Sequence, residues 1–112
     1  MSASGNEIRL AKSEIAQLSN ILNEVLGGFA VSDWDRRIRG SRAAAVELLE
    51  QLNSAFSSSL DAGYGVVMLS PSQVGLLESS YLVCDAEFDD SEFGTRIGAP
   101  KQRVEQIIRA HQ

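Results

Sequence analysis

A shift of 59 residues lays this chain over itself, and no other feature constrains its fold as strongly. Leu10 falls on Leu69, Ser13 on Ser72, Leu18 on Leu77 and Phe29 on Phe88. Ser32 falls on Ser91, Arg37 on Arg96 and Ile38 on Ile97. Conservative matches fill the gaps: Ile8/Val67, Ile15/Val74, Asp33/Glu92, Trp34/Phe93, Arg42/Lys101, Leu48/Ile107 and Leu49/Ile108. Most matched positions are apolar and recur at helical spacing. The reading is a tandem repeat with units 8–56 and 67–111, joined by a Ser/Gly loop over 57–65.

Each unit opens with a β-prone run, Glu7-Ile8-Arg9-Leu10 in the first and Gly65-Val66-Val67-Met68-Leu69 in the second. A helix follows. In the second unit Ser70 is a good N-cap, Pro71 suits the first helical position and Gln73 completes a capping box. Its apolar stripe is Val74, Leu77, Tyr81, Cys84 and Phe88. The first-unit stripe is Ile15, Leu18, Leu22, Val25 and Phe29, widened by Ile21 and Leu26. Gly27-Gly28 is expected to end that helix, because glycine tolerates the left-handed cap conformation. Ser32 and Ser91, each followed by acids, signal the start of a short helix. Trp34 with Ile38, and Phe93 with Ile97, would face the core from it. A last helix closes each unit, striped by Ala45, Leu48, Leu49, Leu52 and Phe56, then by Val104, Ile107 and Ile108, with Pro100 near the second start.

Either unit alone would expose a large apolar face. The expectation is therefore one mainly α (α+β) domain over 1–112, its units related by an approximate two-fold. The two short strands would pair and the helices would cover them, since a two-stranded sheet is marginal by itself.

Composition narrows the function. The 112 residues are 44% apolar and 22% charged, which excludes disorder. No run approaches the ~18 apolar residues of a membrane span. The opening Met1–Glu7 has no basic region and no apolar core, so no secretory signal is read and a cytoplasmic location is expected. A net charge of −5 disfavours a non-specific nucleic-acid binder. Residues 60–112 hold eight acids against four bases. Five of those acids, Asp85, Glu87, Asp89, Asp90 and Glu92, crowd one short stretch. One reading is a solvated turn whose Asp90 and Glu92 favour the macrodipole of the following helix. The other is a docking surface for a basic partner. A calcium loop would need a central glycine, and this stretch lacks one there.

Chemistry-bearing residues are few. His111 is expected as a solvated helix end, and Cys84, on an apolar stripe, as a small buried hydrophobe whose acidic neighbours Asp85 and Glu87 oppose ionisation. One Cys and one His fall short of the usual four nitrogen or sulfur ligands, so no metal and no cofactor are expected. Arg36, Arg37, Arg39 and Arg42 form a basic cluster without the interleaved aromatics of a base-stacking site. The recurrence of Arg37 at Arg96 reads as structural. Gly63-Tyr64-Gly65 precedes a strand, the wrong order for a dinucleotide fingerprint. The chain reads as a non-enzymatic binding domain.

The stretch from Glu92 through Arg96-Ile97-Gly98 to Ile108, with Leu22-Asn23-Glu24-Val25 in the first unit, resembles a group of small bacterial proteins. Such proteins look like those often found beside contact-dependent or polymorphic toxins, where small acidic chains serve as immunity factors. This sequence departs from the pattern at Arg39, in place of the glycine, and at Ser80-Tyr81-Leu82-Val83, in place of Leu-Asn-Glu-Val. The resemblance implies an immunity protein that neutralises a cognate toxin in the cytoplasm and brings no catalytic residue. The expected contact residues are Asp85, Glu87, Asp89, Asp90 and Glu92, with Tyr64 as an aromatic anchor. The alternative is a self-associating scaffold or housekeeping helical domain, in which partly uncovered stripes would build a homodimer.

Overall fold

The computed structural model describes residues 6–111. Chain order is β1 (Asn6–Ala11), α1 (Lys12–Asn23) continued by a π-helical turn over Glu24–Gly28, α2 (Trp34–Arg37) and α3 (Arg42–Ser58). Then follow β2 (Tyr64–Leu69), α4 (Pro71–Glu87), α5 (Asp90–Ile97) and α6 (Lys101–Arg109). The order strand, long helix, short helix, helix thus occurs twice in a mainly helical chain.

The two strands pair antiparallel, with Ile8 opposite Val67 and Leu10 opposite Gly65. Alternation decides which face is dry. Ile8, Leu10, Val67 and Leu69 point inward and are buried, while Glu7, Arg9, Tyr64, Val66 and Met68 point outward. Gly65 has a packing reason. A Cβ there would come within 2.7 Å of the Ala55 carbonyl and 2.8 Å of Ile15 Cδ1, so only glycine lets β2 lie against α3.

The expected apolar stripes form the core. In α1, Ile15, Leu18, Ile21 and Leu22 are buried, with Val25 from the π turn. In α4, Val74, Leu77, Tyr81 and Cys84 are buried, together with Leu76 and Val83 from outside the stripe. Leu76 is covered by the chain reversal at Gly40, whose φ of +142° suits glycine. The predicted Ser70 box is present: Ser70 Oγ accepts from the Gln73 amide at 3.1 Å and Gln73 Oε1 from the Ser70 amide at 2.9 Å. No helix among the described residues is long and apolar enough to cross a membrane.

Four local expectations are corrected. The loop over 57–65 is shorter, because α3 runs to Ser58 and β2 starts at Tyr64. Ser58 is the last residue of that helix, and its Oγ donates back to the Ser54 carbonyl at 3.1 Å. Gly27 and Gly28 do not adopt the left-handed cap. The helix widens there instead, the Phe29 amide donating to the Glu24 carbonyl at 3.3 Å, while the Glu24 carboxylate lies where a Gly28 Cβ would stand. Nor do Ser32 and Ser91 cap the short helices. Asp89 caps α5, its Oδ1 accepting from the Glu92 amide at 2.7 Å, and Asp33 precedes α2 in a left-handed conformation at φ 54°. Finally, α2 has four residues and α5 has eight. Gly98 closes α5 at φ +97°; Arg39 holds the matching first-half position, so the chain leaves α2 extended at Ile38 and turns at Gly40.

Candidate functional site

The five clustered acids lie at the junction of α4 and α5. Phe88 leaves α4 in an extended conformation and is buried there, edge-on to Phe29 at 5.3 Å. That anchor sets the chain path, and the acids on either side of it turn outward.

Four of the five acids have a local partner, and Asp85 and Asp90 share theirs. Lys101 Nζ pairs with Asp85 Oδ1 at 3.2 Å and Asp90 Oδ1 at 3.6 Å, and donates to the Asp85 carbonyl at 3.0 Å. Its own side chain is only 18% exposed, so this cation is built into the junction. Asp89 is occupied as the cap of α5. Glu92 Oε2 accepts from Arg96 Nε at 3.3 Å. Glu87 is exposed and forms no ion pair among the described residues. Five carboxylates therefore face two cations, and the junction keeps an excess of negative charge.

Arg96 ties this surface to the first half of the chain. Its Nη1 donates to Glu24 Oε1 at 3.2 Å, and its guanidinium stacks 4.8 Å above the Phe88 ring. The expected structural role thus fits Arg96. Arg37 is exposed and forms no ion pair among the described residues. The other arginines disperse: Arg36 pairs with Asp33 at 3.4 Å, Arg39 with Glu78 at 3.3 Å, and Arg42 stacks 4.3 Å over Trp34. They do not converge on one anion site.

Tyr64 stands apart from the acids. It starts β2, is 39% exposed and carries the Arg9 guanidinium 4.4 Å above its ring. It lines a groove of about 670 Å3 between α3 and β2 with Gln51, Ser54, Val66 and Met68, and no acid of the junction reaches that groove. Gln51, Val66 and Met68 are surface features that the sequence reading missed. The period-two alternation of β2 carried the signal for Val66 and Met68, since Val67 and Leu69 between them are buried.

Cys84 is fully buried, and its thiol is pushed up to about 12 by burial first and then by Glu24 and Glu87. Glu24, from the other half of the chain, takes the role expected of Asp85. The Tyr81 hydroxyl is also pushed up to about 12, by burial and then by Asp85 and Glu105, with Arg109 opposing. His111 is not a solvated helix end. It is half-buried against a hollow of about 390 Å3 lined by Ile8, Arg39, Leu69, Val74 and Glu78.

No family model matches this chain, and neither a curated protein nor a solved structure matches it at a significant level.

Proposed function

We propose that the chain is a non-enzymatic binding domain that neutralises a toxin by docking its acidic α4–α5 junction on a basic cleft. One observation carries the reading. Five carboxylates share one anchored turn with two cations, and Glu87 and Asp90 project into solvent there. An exposed excess of charge on a fixed backbone steers association with a partner of opposite sign and speeds encounter more than it adds affinity. The duplicated strand-and-helices unit belongs to the same proposal, because it commits the apolar side chains to a shared core and leaves recognition to the surface. Tyr64 would act as a separate anchor, away from the acids.

The test is co-expression with the toxin encoded beside its gene. Cells survive and the two proteins co-purify, and association slows as salt is raised. Reversing Glu87 and Asp90 to lysine together slows association and weakens protection without unfolding the chain, since neither residue caps a helix or enters the core and Lys101 keeps its pair with Asp85. A toxin that still kills cells making the wild-type chain ends the proposal.

A further inference from the structure

The strand ladder fixes which backbone groups of β2 face outward. The Lys12 amide donates to the Gly63 carbonyl at 3.0 Å. In this register the hydrogen-bonded pairs are then Leu10↔Gly65, Ile8↔Val67 and Asn6↔Leu69. Tyr64, Val66 and Met68 occupy the alternate positions, so their N–H and C=O groups aim away from β1. Two side-chain bonds agree. The Met68 carbonyl accepts from Gln51 Nε2, and Ala11, at an alternate position of β1, donates its amide to Glu14 Oε1 at 2.8 Å.

This outward edge opens into the groove of about 670 Å3 beside the second half of α3. There α3 runs opposite to β2, with Gln51 beside Met68 and Ala55 against Gly65. The groove lining carries no charged side chain. The two edges of the sheet differ in this respect. β1 turns Glu7 and Arg9 outward, charges of the kind that guard an edge against pairing, whereas Tyr64–Leu69 has none.

We infer that the β2 edge docks an extended, uncharged segment of a partner protein, which adds as a third strand alongside α3. An edge whose donors and acceptors recur at every second residue is matched by extended backbone and by no helix. The uncharged lining selects the side chains, and most strongly against lysine, which would lose water there and meet no carboxylate of the groove. A second folded copy fits poorly. A two-fold joining β2 to its copy in one sheet puts both α3 helices on the same face at the seam. Gln51, steadied by Gln73 Nε2 at 3.2 Å, is the group an entering strand displaces from Met68. This inference does not rest on the acidic junction.

The test is backbone amide exchange by NMR, with the capped peptide acetyl-Thr-Val-Thr-Val-Thr-Val-amide as probe. In the free chain the Tyr64, Val66 and Met68 amides exchange faster than those of Gly65, Val67 and Leu69. The peptide slows the first three by about tenfold or more in a saturable way. Val66→Pro removes one outward donor and no ladder bond, so it keeps the fold and loses the effect. A peptide with lysine in place of each valine has no effect on the wild-type chain, a check that needs no variant to fold. The inference is overturned if the valine peptide leaves those amides unchanged, or if the folded proline variant or the lysine peptide responds equally. It is also overturned if the chain sediments as a dimer with the three amides protected before any peptide is added.

Discussion

Ile8 of β1 faces Val67 of β2 across the sheet, and these two residues are also matched by the 59-residue shift. The antiparallel register that pairs them sets Leu10 and Leu69 on the same buried face. Neither half owns a sheet, because each contributes one strand. Cutting the chain within 59–63 should thus leave two fragments that are largely unfolded by circular dichroism, and equimolar mixing should restore the helical signal. Independent folding of either fragment would refute this account.

Gly28 and Arg96 should be coupled through Glu24. A Cβ at Gly28 would displace the Glu24 carboxylate, which holds Arg96 Nη1 at 3.2 Å and is mostly covered, its side chain 16% exposed. Gly28→Ala is expected to cost about 1 kcal/mol, in the range of a charge-assisted bond that is partly solvated. Arg96→Ala should cost somewhat more, because it also uncovers the Phe88 ring. In the Arg96→Ala background the Gly28 change should be nearly neutral. Urea denaturation of the double-mutant cycle measures the difference.

The elements most legible in the sequence were those with a strong period. The stripes of α1 and α4, the Ser70 box and the strand alternation follow from local spacing, which the chain displays directly. What was hidden depends on groups far apart in sequence. Arg96 meets Glu24 across 72 positions, and no local pattern announces that pairing. The Gly27-Gly28 pair looks like a helix stop, yet Glu24 folds back over Gly28 and the helix widens rather than ends. His111 looked solvated from its place in the chain, but the fold returns it to the β1 end of α4. For the candidate site, the five acids and their crowding were legible. That Lys101 holds two of them and that Asp89 caps α5 was not.

Gly65 should be the least replaceable glycine. Its missing side chain admits the Ala55 carbonyl and Ile15 Cδ1, and the first of these is backbone that cannot swing aside. Gly65→Ala is expected to destabilise by about 2–3 kcal/mol, as overpacking in a tight core does. Gly63→Ala strains a φ of +80° but meets open space, so a smaller loss of about 1 kcal/mol is expected. Thermal melts of the two variants side by side would show the order, and an inverted order would contradict the close approach of β2 to α3.

Alkaline pH should unfold the protein through Cys84 and Tyr81. The thiol rises from an ordinary 9.0 and the phenol from 10.0, both to about 12, because burial disfavours their anions. The unfolded chain releases these protons first. Stability is accordingly intact below pH 9 and falls as pH climbs toward 12, by about 1.4 kcal/mol per pH unit for each group once past its unfolded value. Cys84→Val supplies the residue found at the matching first-half position, Val25, and should change neutral-pH stability by less than about 1 kcal/mol. Above pH 9 the variant should lose stability more slowly than the wild type, since the thiol's contribution to the loss is gone and that of Tyr81 remains. Urea midpoints at pH 7, 9, 10 and 11 separate the two contributions, and parallel curves for both proteins would show that the thiol is not what drives the loss.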